Sequence, residues 1–421
     1  MPVPSTSLEP SVLFFLQLTI ILASCRAVGW LAKYLGQPAV VGEMIAGVLL
    51  GPSLFGLFWP TLHDTIFPTH SMPVLYSLSQ LGLTLYMFVV GIEFELEHFW
   101  KHGKTAVSVS FVGMIAPFIL GGLIAIWLYQ QGGFFPAKVR LFEAILFLGT
   151  SMSITAFPML ARIILENKLV GTSLGTLTLA AGAIDDVAAW CILAFVLSCS
   201  SGDLTGFAIT VGGGILYALV VLFILRPSLQ KLLPVAEKHG KLTSGQLISI
   251  LGLVMLGACC TNAIGIHSVF GAFLIGCAVP RGMTGEALKK QIEPLTLCLL
   301  VPLFFAYSGL NTRLDLVSTP WLLLVLLVVL IAACLGKGVA CWAAARWTGE
   351  NQGTSMAVGC LMNARGMMGL ILLIIGKENG IIGPELFSIL VLMAILTTLV
   401  TTPTFRWIQA RYPEQFEKAI F

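Results

Sequence analysis

Two aspartates stand side by side, Asp185 and Asp186, near the middle of an apolar stretch, TLAAGAIDDVAAWCILAF, with about fifteen residues on either side. If that stretch crosses a bilayer, an ionised group at its centre costs at least ~2.5–3.5 kcal/mol on insertion scales, and groups kept at that cost mark ion or proton pathways. Helix propensity gives no reason for the pair, because Asp is a poor helix former. Neighbours on a helix point about 100° apart, so the two carboxylates face different partners. A buried pair that only locks helices together is the structural alternative.

Lys337, in LIAACLGKGVACWAAA, is the natural counter-charge. It lies too deep in its run to snorkel easily to water. Gly336 and Gly338 on either side let another helix approach closely. Whether its role is structural or functional, the ammonium requires an acidic partner, and the aspartates are the best available.

Two other segments read as interrupted helices. LFLGTSMSITAFPMLARIIL carries Pro158 inside an apolar stretch, where proline removes a backbone donor and clashes with the preceding turn. Ser151, Ser153 and Thr155 precede it, with hydroxyls that could satisfy freed carbonyls or coordinate a cation. VGCLMNARGMMGLILLIIG holds Asn363, Arg365 and Gly366 at its centre. Broken helices in corresponding positions of two halves point to a transporter's binding site. An ordinary kink explains either break alone, but explains the symmetric pairing less well.

The elements that must carry these residues follow from composition. Of 421 residues, 10% are charged and 57% hydrophobic, with a mean hydropathy of +0.95. A soluble domain carries about 25% charged residues, so a soluble protein is excluded. A transmembrane barrel would show alternating segments of about ten residues instead, and none occur. The expected fold class is an all-α polytopic membrane protein. Thirteen candidate spans run over 11–32, 38–57, 73–92, 105–128, 141–165, 170–198, 206–225, 244–261, 266–279, 294–310, 319–345, 354–375 and 384–404. The fifth and twelfth are seven spans apart and so run in opposite directions, as an inverted-topology repeat requires. About 17 residues follow the last span, so no soluble regulatory domain is expected there.

Lys and Arg number sixteen in the loops and tail on one side and four on the other. Arg26, Lys337 and Arg365 fall within spans. The excess marks the cytoplasmic side, which puts the N-terminus outside and the C-terminus inside. The first run lacks the basic region and cleavage site of a removable signal, and reads as a retained helix. The net charge of +3 lies in short loops and implies no nucleic acid. Ten cysteines show no CxxC pair and no His/Cys cluster, and read as small packing residues. No cofactor is expected.

The strings QPAVVGEMIAGVLLGPSLFG (37–56), GTSMSITAFPMLARIIL (149–165), AGAIDDVAAW (181–190), PLFFAYSGLNT (302–312) and LMNARGMMGL (361–370) resemble the monovalent cation:proton antiporter-2 family. The resemblance covers essentially the whole chain. It implies thirteen helices in an inverted repeat, with two crossed, unwound helices in a core bundle at about 73–198 and 294–404. Residues 11–57 and 206–279 would supply the dimerisation scaffold and linker of a homodimer. Asp186 is similar to the family's cation- and proton-binding carboxylate, and Asp185 to its partner, paired with Lys337 in the proton-loaded state. The adjacent aspartates resemble electrogenic members that exchange two protons per cation.

On that basis Asp186 alternates between a proton and a dehydrated cation such as Na⁺. Ser151, Ser153 and Thr155 complete an oxygen-lined site. Arg365 either offsets the negative ends of the broken helices or serves structure alone. The partners implied are a monovalent cation, protons and the lipid bilayer of a cell membrane. K⁺/H⁺ exchange and a sodium-coupled organic-anion carrier are the alternatives within transport. An enzyme is not expected, for no nucleophile–base motif, metal-ligand cluster or phosphate loop lies in the spans. Glu43 reads as an interfacial carboxylate or part of an ion funnel. Glu93, Glu95 and Glu97, with His98 and His102, read as a solvated face, and His267 as a loop histidine.

Overall fold

The computed structural model describes residues 9–34, 36–37, 39–94, 96–201, 205–232, 243–280, 282–310 and 319–413, which form helices and no strand. In a bilayer every backbone N–H and C=O must be paired internally, and a helix does this within one segment. In chain order the helices are α1 (Pro10–Tyr34), α2 (Ala39–Leu50), the short α3 (Phe55–Phe58) and α4 (Pro60–Ile66), α5 (Met72–Glu93) and α6 (Leu96–Gln131). Then come α7 (Leu141–Ser153), α8 (Phe157–Glu166), α9 (Ser173–Ser201), α10 (Thr205–Val220), α11 (Arg226–Leu232) and α12 (Ser244–Ala263). The series closes with α13 (Ser268–Ala278), α14 (Met283–Leu295), α15 (Val301–Leu310), α16 (Pro320–Trp347), α17 (Gln352–Leu361), α18 (Gly366–Glu378) and α19 (Pro384–Arg411).

Among the described residues, ten segments are long and apolar enough to cross a membrane. They coincide with thirteen-span positions one to eight, eleven and thirteen. The other three positions hold shorter helices. The ninth is the short apolar helix α13. The tenth is divided by a π-helical turn, Thr296–Leu300, between α14 and α15. The twelfth is broken into α17 and α18.

Chain contacts group the fold into two compact units, Met1–Leu83 with Pro294–Asp315 and Thr84–Glu293 with Leu316–Phe421. In the first, α2 packs along both α1 and α15, around Ile21, Ala46, Phe67, Leu303 and Leu310. Glycine permits that closeness: a Cβ on Gly309 would stand 2.7 Å from the Gly47 Cα. Glu43, on α2, is buried in this unit.

In the second unit, α6 packs against α7, α9 and α16, while α16 packs against α17 and α19. The helices that carry both aspartates, Lys337 and both breaks therefore share one bundle. Local chemistry fixes where they start. Asn351 caps α17 by accepting from the Thr354 N–H at 2.8 Å. Thr319 caps α16, with Pro320 in the first turn, where its missing donor costs nothing. Elsewhere in this unit, a Cβ on Gly276 of α13 would come within 2.9 Å of the Gly91 Cα on α5. Gly276→Val therefore forces the two helices apart and is expected to cost about 1–3 kcal/mol. Thermal denaturation in detergent measures this, and an unchanged midpoint would contradict the packing.

Candidate ion-binding site

The site begins with two helices that stop in mid-bundle. α7 ends at Ser153, Ile154 is extended with ψ at 135°, and α8 restarts at Phe157 with Pro158 in its first turn. Proline is tolerated there because first-turn N–H groups have no intrahelical partner. α17 ends at Leu361, and Met362–Arg365 leads, unwound, to α18 at Gly366. The two breaks satisfy each other's backbone. Ala156 N–H donates to Ala364 C=O at 2.9 Å, and the Thr155 hydroxyl donates to Met362 C=O at 2.9 Å.

α9 brings both aspartates to this crossing. Asp185 is fully buried, and both of its oxygens are occupied. Oδ1 accepts from Ser110 Oγ at 2.5 Å. Oδ2 accepts from the ammonium of Lys337, itself fully buried, and lies 3.0 Å from Thr155 Oγ1, whose single proton serves either this oxygen or Met362 C=O. Lys337 also donates to Ser153 C=O, at the C-terminal end of α7, where a helix presents partial negative charge.

Asp186 differs. It is as deeply buried and lies beside the Phe157 backbone N–H at the positive end of α8, yet among the described residues its Oδ2 has no hydrogen-bond partner. A buried carboxylate oxygen without a donor is costly, unless a proton or a cation comes to it. Two adjacent carboxylates thus have opposite conditions, one saturated and one with an open coordination position.

The remaining residues take distinct places. Ser151 and Ser153 turn their hydroxyls to carbonyls, Ser151 to Phe147 at 2.8 Å and Ser153 to Gly149 at 2.7 Å and Met114 at 2.9 Å. Ser153 reaches the charged cluster through its backbone oxygen instead. Arg365, buried, donates to Met152 C=O and to Ala333 C=O at 3.0 Å, so a second cation meets the C-terminal end of α7. Asn363 donates to Cys334 C=O on α16 and to Gly359 C=O one turn back on α17. A Cβ on Gly338 would lie 2.7 Å from that amide nitrogen, so Gly338 makes room for the unwound segment. Gly336 faces α6 at Pro117 and Leu120. His267 caps α13 and lies against Trp190. The side chains of Glu93, Glu95, Glu97, His98 and His102 lie outside the described residues.

Residues 19–411 match the sequence model of the transmembrane sodium/hydrogen exchangers. The chain belongs to that family. It is 38% identical over 395 residues to the Na⁺/H⁺ antiporter NhaS4 of Synechocystis, covering 93% of this chain and 96% of that one. It is 32% identical to K⁺/H⁺ antiporter 1 of Saccharomyces cerevisiae, across all of this chain but only 48% of that protein. The fold matches the sodium proton antiporter MjNhaP1 of Methanocaldococcus jannaschii, with a TM-score of 0.65 at 16% identity over 94% of this chain and 99% of that one. Membership makes this a multi-pass membrane transporter of the cation/proton antiporter class, not an enzyme, and its ions are substrates rather than cofactors.

Within this exchanger, two contributors to the site escaped the sequence. Ser110 lies in an apolar helix with no motif around it, and nothing distinguishes it from nearby Ser108. The Phe157 N–H is backbone, which no side-chain pattern reveals; only the proline beside it hints that a helix starts there. Ser110→Ala removes a hydrogen bond to a buried charge, expected to cost ~1.5–3 kcal/mol. Ser110→Thr keeps the hydroxyl and is expected to restore stability. Thermal denaturation reads both, and an Ala variant as stable as the parent would remove Ser110 from the cluster.

Proposed function

We propose that this protein is an electrogenic Na⁺/H⁺ antiporter in which Asp186 exchanges a proton for the cation. The observation that carries this reading is the unpartnered Oδ2 of a fully buried Asp186, beside an Asp185 whose two oxygens are occupied. One carboxylate cannot hold a proton and a dehydrated cation together, so the two ligands compete. Competition at a site open first to one side and then to the other suffices for antiport. Oxygens already at the crossing, Thr155 Oγ1 and backbone carbonyls of the two breaks, are hard donors suited to an alkali cation.

Charge counting separates the stoichiometries. If Asp185 and Lys337 stay paired, the swap at Asp186 is one proton for one cation and moves no net charge. If the cation also draws Asp185 away, Lys337 releases its proton, and two protons exchange for one cation. That cycle moves one charge, worth about 2.3 kcal/mol per 100 mV. We adopt the second cycle because, among the described residues, Lys337 and Thr155 alone hold Asp185 Oδ2, and Thr155 already has an alternative acceptor in Met362. Sodium is the proposed cation, since the relative matched over nearly its whole length is named for it. K⁺ is the second reading, favoured by the yeast relative's name.

In this reading the bundle at 73–198 and 294–404 carries the site between the two sides, while 11–57 and 206–279 form the scaffold of a homodimer. The N-terminus lies outside and the C-terminus in the cytoplasm, following the basic loops.

Proteoliposomes with an internal pH dye test the whole. Na⁺ gradients are expected to drive proton movement, Asp186→Asn is expected to abolish it at every pH, and an imposed potential is expected to alter the wild-type rate. Retained exchange in Asp186→Asn would remove that residue from the site. Indifference to potential would establish the one-proton cycle, and a response to K⁺ alone would replace sodium.

A further inference from the structure

The short helix α13 meets both α8 and α9 through aromatic rings, on either side of the carboxylate that exchanges its occupant. Phe157 opens α8, and its backbone N–H lies beside Asp186. The Phe157 ring is fully buried. It stands edge-on to Phe273 of α13, with ring centroids 4.9 Å apart, and is stacked on Phe270 at 6.5 Å. Phe94 backs Phe273 in turn at 5.3 Å. Toward α9, a Cβ on Gly182 would lie 3.7 Å from Phe157 Cδ2 and 2.8 Å from Leu160 Cδ2. The bare backbone at 182 thus lets α8 lie close to the helix that carries Asp186. Gly182 and Trp190 stand four residues before and four after Asp186. Trp190 lies against His267, whose Nδ1 accepts from the Val269 N–H and caps α13. α13 therefore grips α9 at the turn on each side of Asp186, directly through His267 and at Gly182 through the Phe157 ring.

The ring contacts matter because of the atom they hold. A first-turn N–H has no intrahelical acceptor, and beside a carboxylate it favours the charged form over the protonated one. That effect weakens steeply as distance and angle depart from hydrogen-bond geometry. We propose that Phe270 and Phe273 are positioning residues for the exchange, which clamp the Phe157 ring, fix its N–H against Asp186 and so set the pH at which a proton gives way to a cation. The inference rests on Asp186 as the exchanging carboxylate. The charged neighbours that bear on Asp186 are Asp185 on its own helix and Lys337 on α16. α13 brings His267, turned to Trp190, and α8 brings Arg162, paired with Glu166. α10 and α17, also packed on α9, carry no acidic or basic side chain. Those described on α6 and α7, Lys104 and Glu143, lie near the starts of their helices. Replacing a phenylalanine of α13 alters none of these charges.

Calorimetric Na⁺ binding to the purified protein across pH reads the effect without transport, with K⁺ in its place if that is the ion carried. In Phe273→Leu the N–H is expected to loosen and Asp186 to hold its proton more tightly. The pH of half-maximal cation binding is then expected to rise by about 0.5–1 unit, a change of about threefold to tenfold in proton affinity. Phe270→Leu removes the more distant ring and is expected to give a smaller rise in the same direction; it carries the test if Phe273→Leu does not fold. Phe273→Tyr, which keeps the ring, is expected to keep the parent midpoint. Phe305→Leu removes a comparably buried ring from the other compact unit and is expected to leave the midpoint unchanged. An unchanged or lowered midpoint in a folded Phe273→Leu or Phe270→Leu, or binding lost at every pH, would overturn the proposal. So would an equal rise in Phe305→Leu or Phe273→Tyr. Cation binding that survives Asp186→Asn would instead remove the reading on which the clamp rests.

Discussion

The Lys337 ammonium nitrogen and the Asp185 carboxyl meet where neither is exposed, and the core of this bundle is arranged around that contact. Removing one partner of such a pair is strongly destabilising, because the other charge is left uncompensated. Ser110, Thr155 and the Ser153 carbonyl occupy the remaining positions around the pair. Those commitments make the neighbouring carboxylate different. Asp186 lies one residue further along α9, turned to the positive end of α8, and keeps an open oxygen.

The breaks in α7/α8 and α17/α18 follow from the same electrostatics. An uninterrupted helix offers no free N–H or C=O to a charge in its middle. Interrupting it exposes a negative end, which here meets Lys337 and Arg365, and a positive end, which meets Asp186. In the proposed two-proton cycle the cluster of Asp185, Asp186, Lys337 and Arg365 carries one more positive charge when proton-loaded than when cation-loaded, which gives the site a reason to change conformation when its occupant changes.

Much of this was legible in the sequence, and the reasons are physical. Charges in the middle of apolar runs are costly enough to be conspicuous, so Asp185, Asp186, Lys337 and Arg365 could be singled out without structure. Pro158 located the first break to within a few residues. Hydroxyls were less readable. Ser151 and Ser153 look equivalent to Thr155 in the string, but helical serines readily return their hydroxyls to the carbonyl four residues back, and both do so. Thr155 lies in the unwound stretch and is free to reach Asp185 and Met362. Ser110 was invisible because its role depends on which helix α6 packs against, and no local pattern encodes that. Ten of the thirteen expected spans are long and apolar enough to cross, the broken fifth among them, and the other three hold shorter helices.

The central claim is that proton and cation compete for one buried carboxylate. Titrating purified, weakly buffered protein with Na⁺ while recording proton release and binding heat tests it most directly. The account predicts two protons released per cation bound, with apparent affinity rising about tenfold per pH unit for each proton displaced. Cation binding of constant affinity across pH, with no proton released, would contradict it.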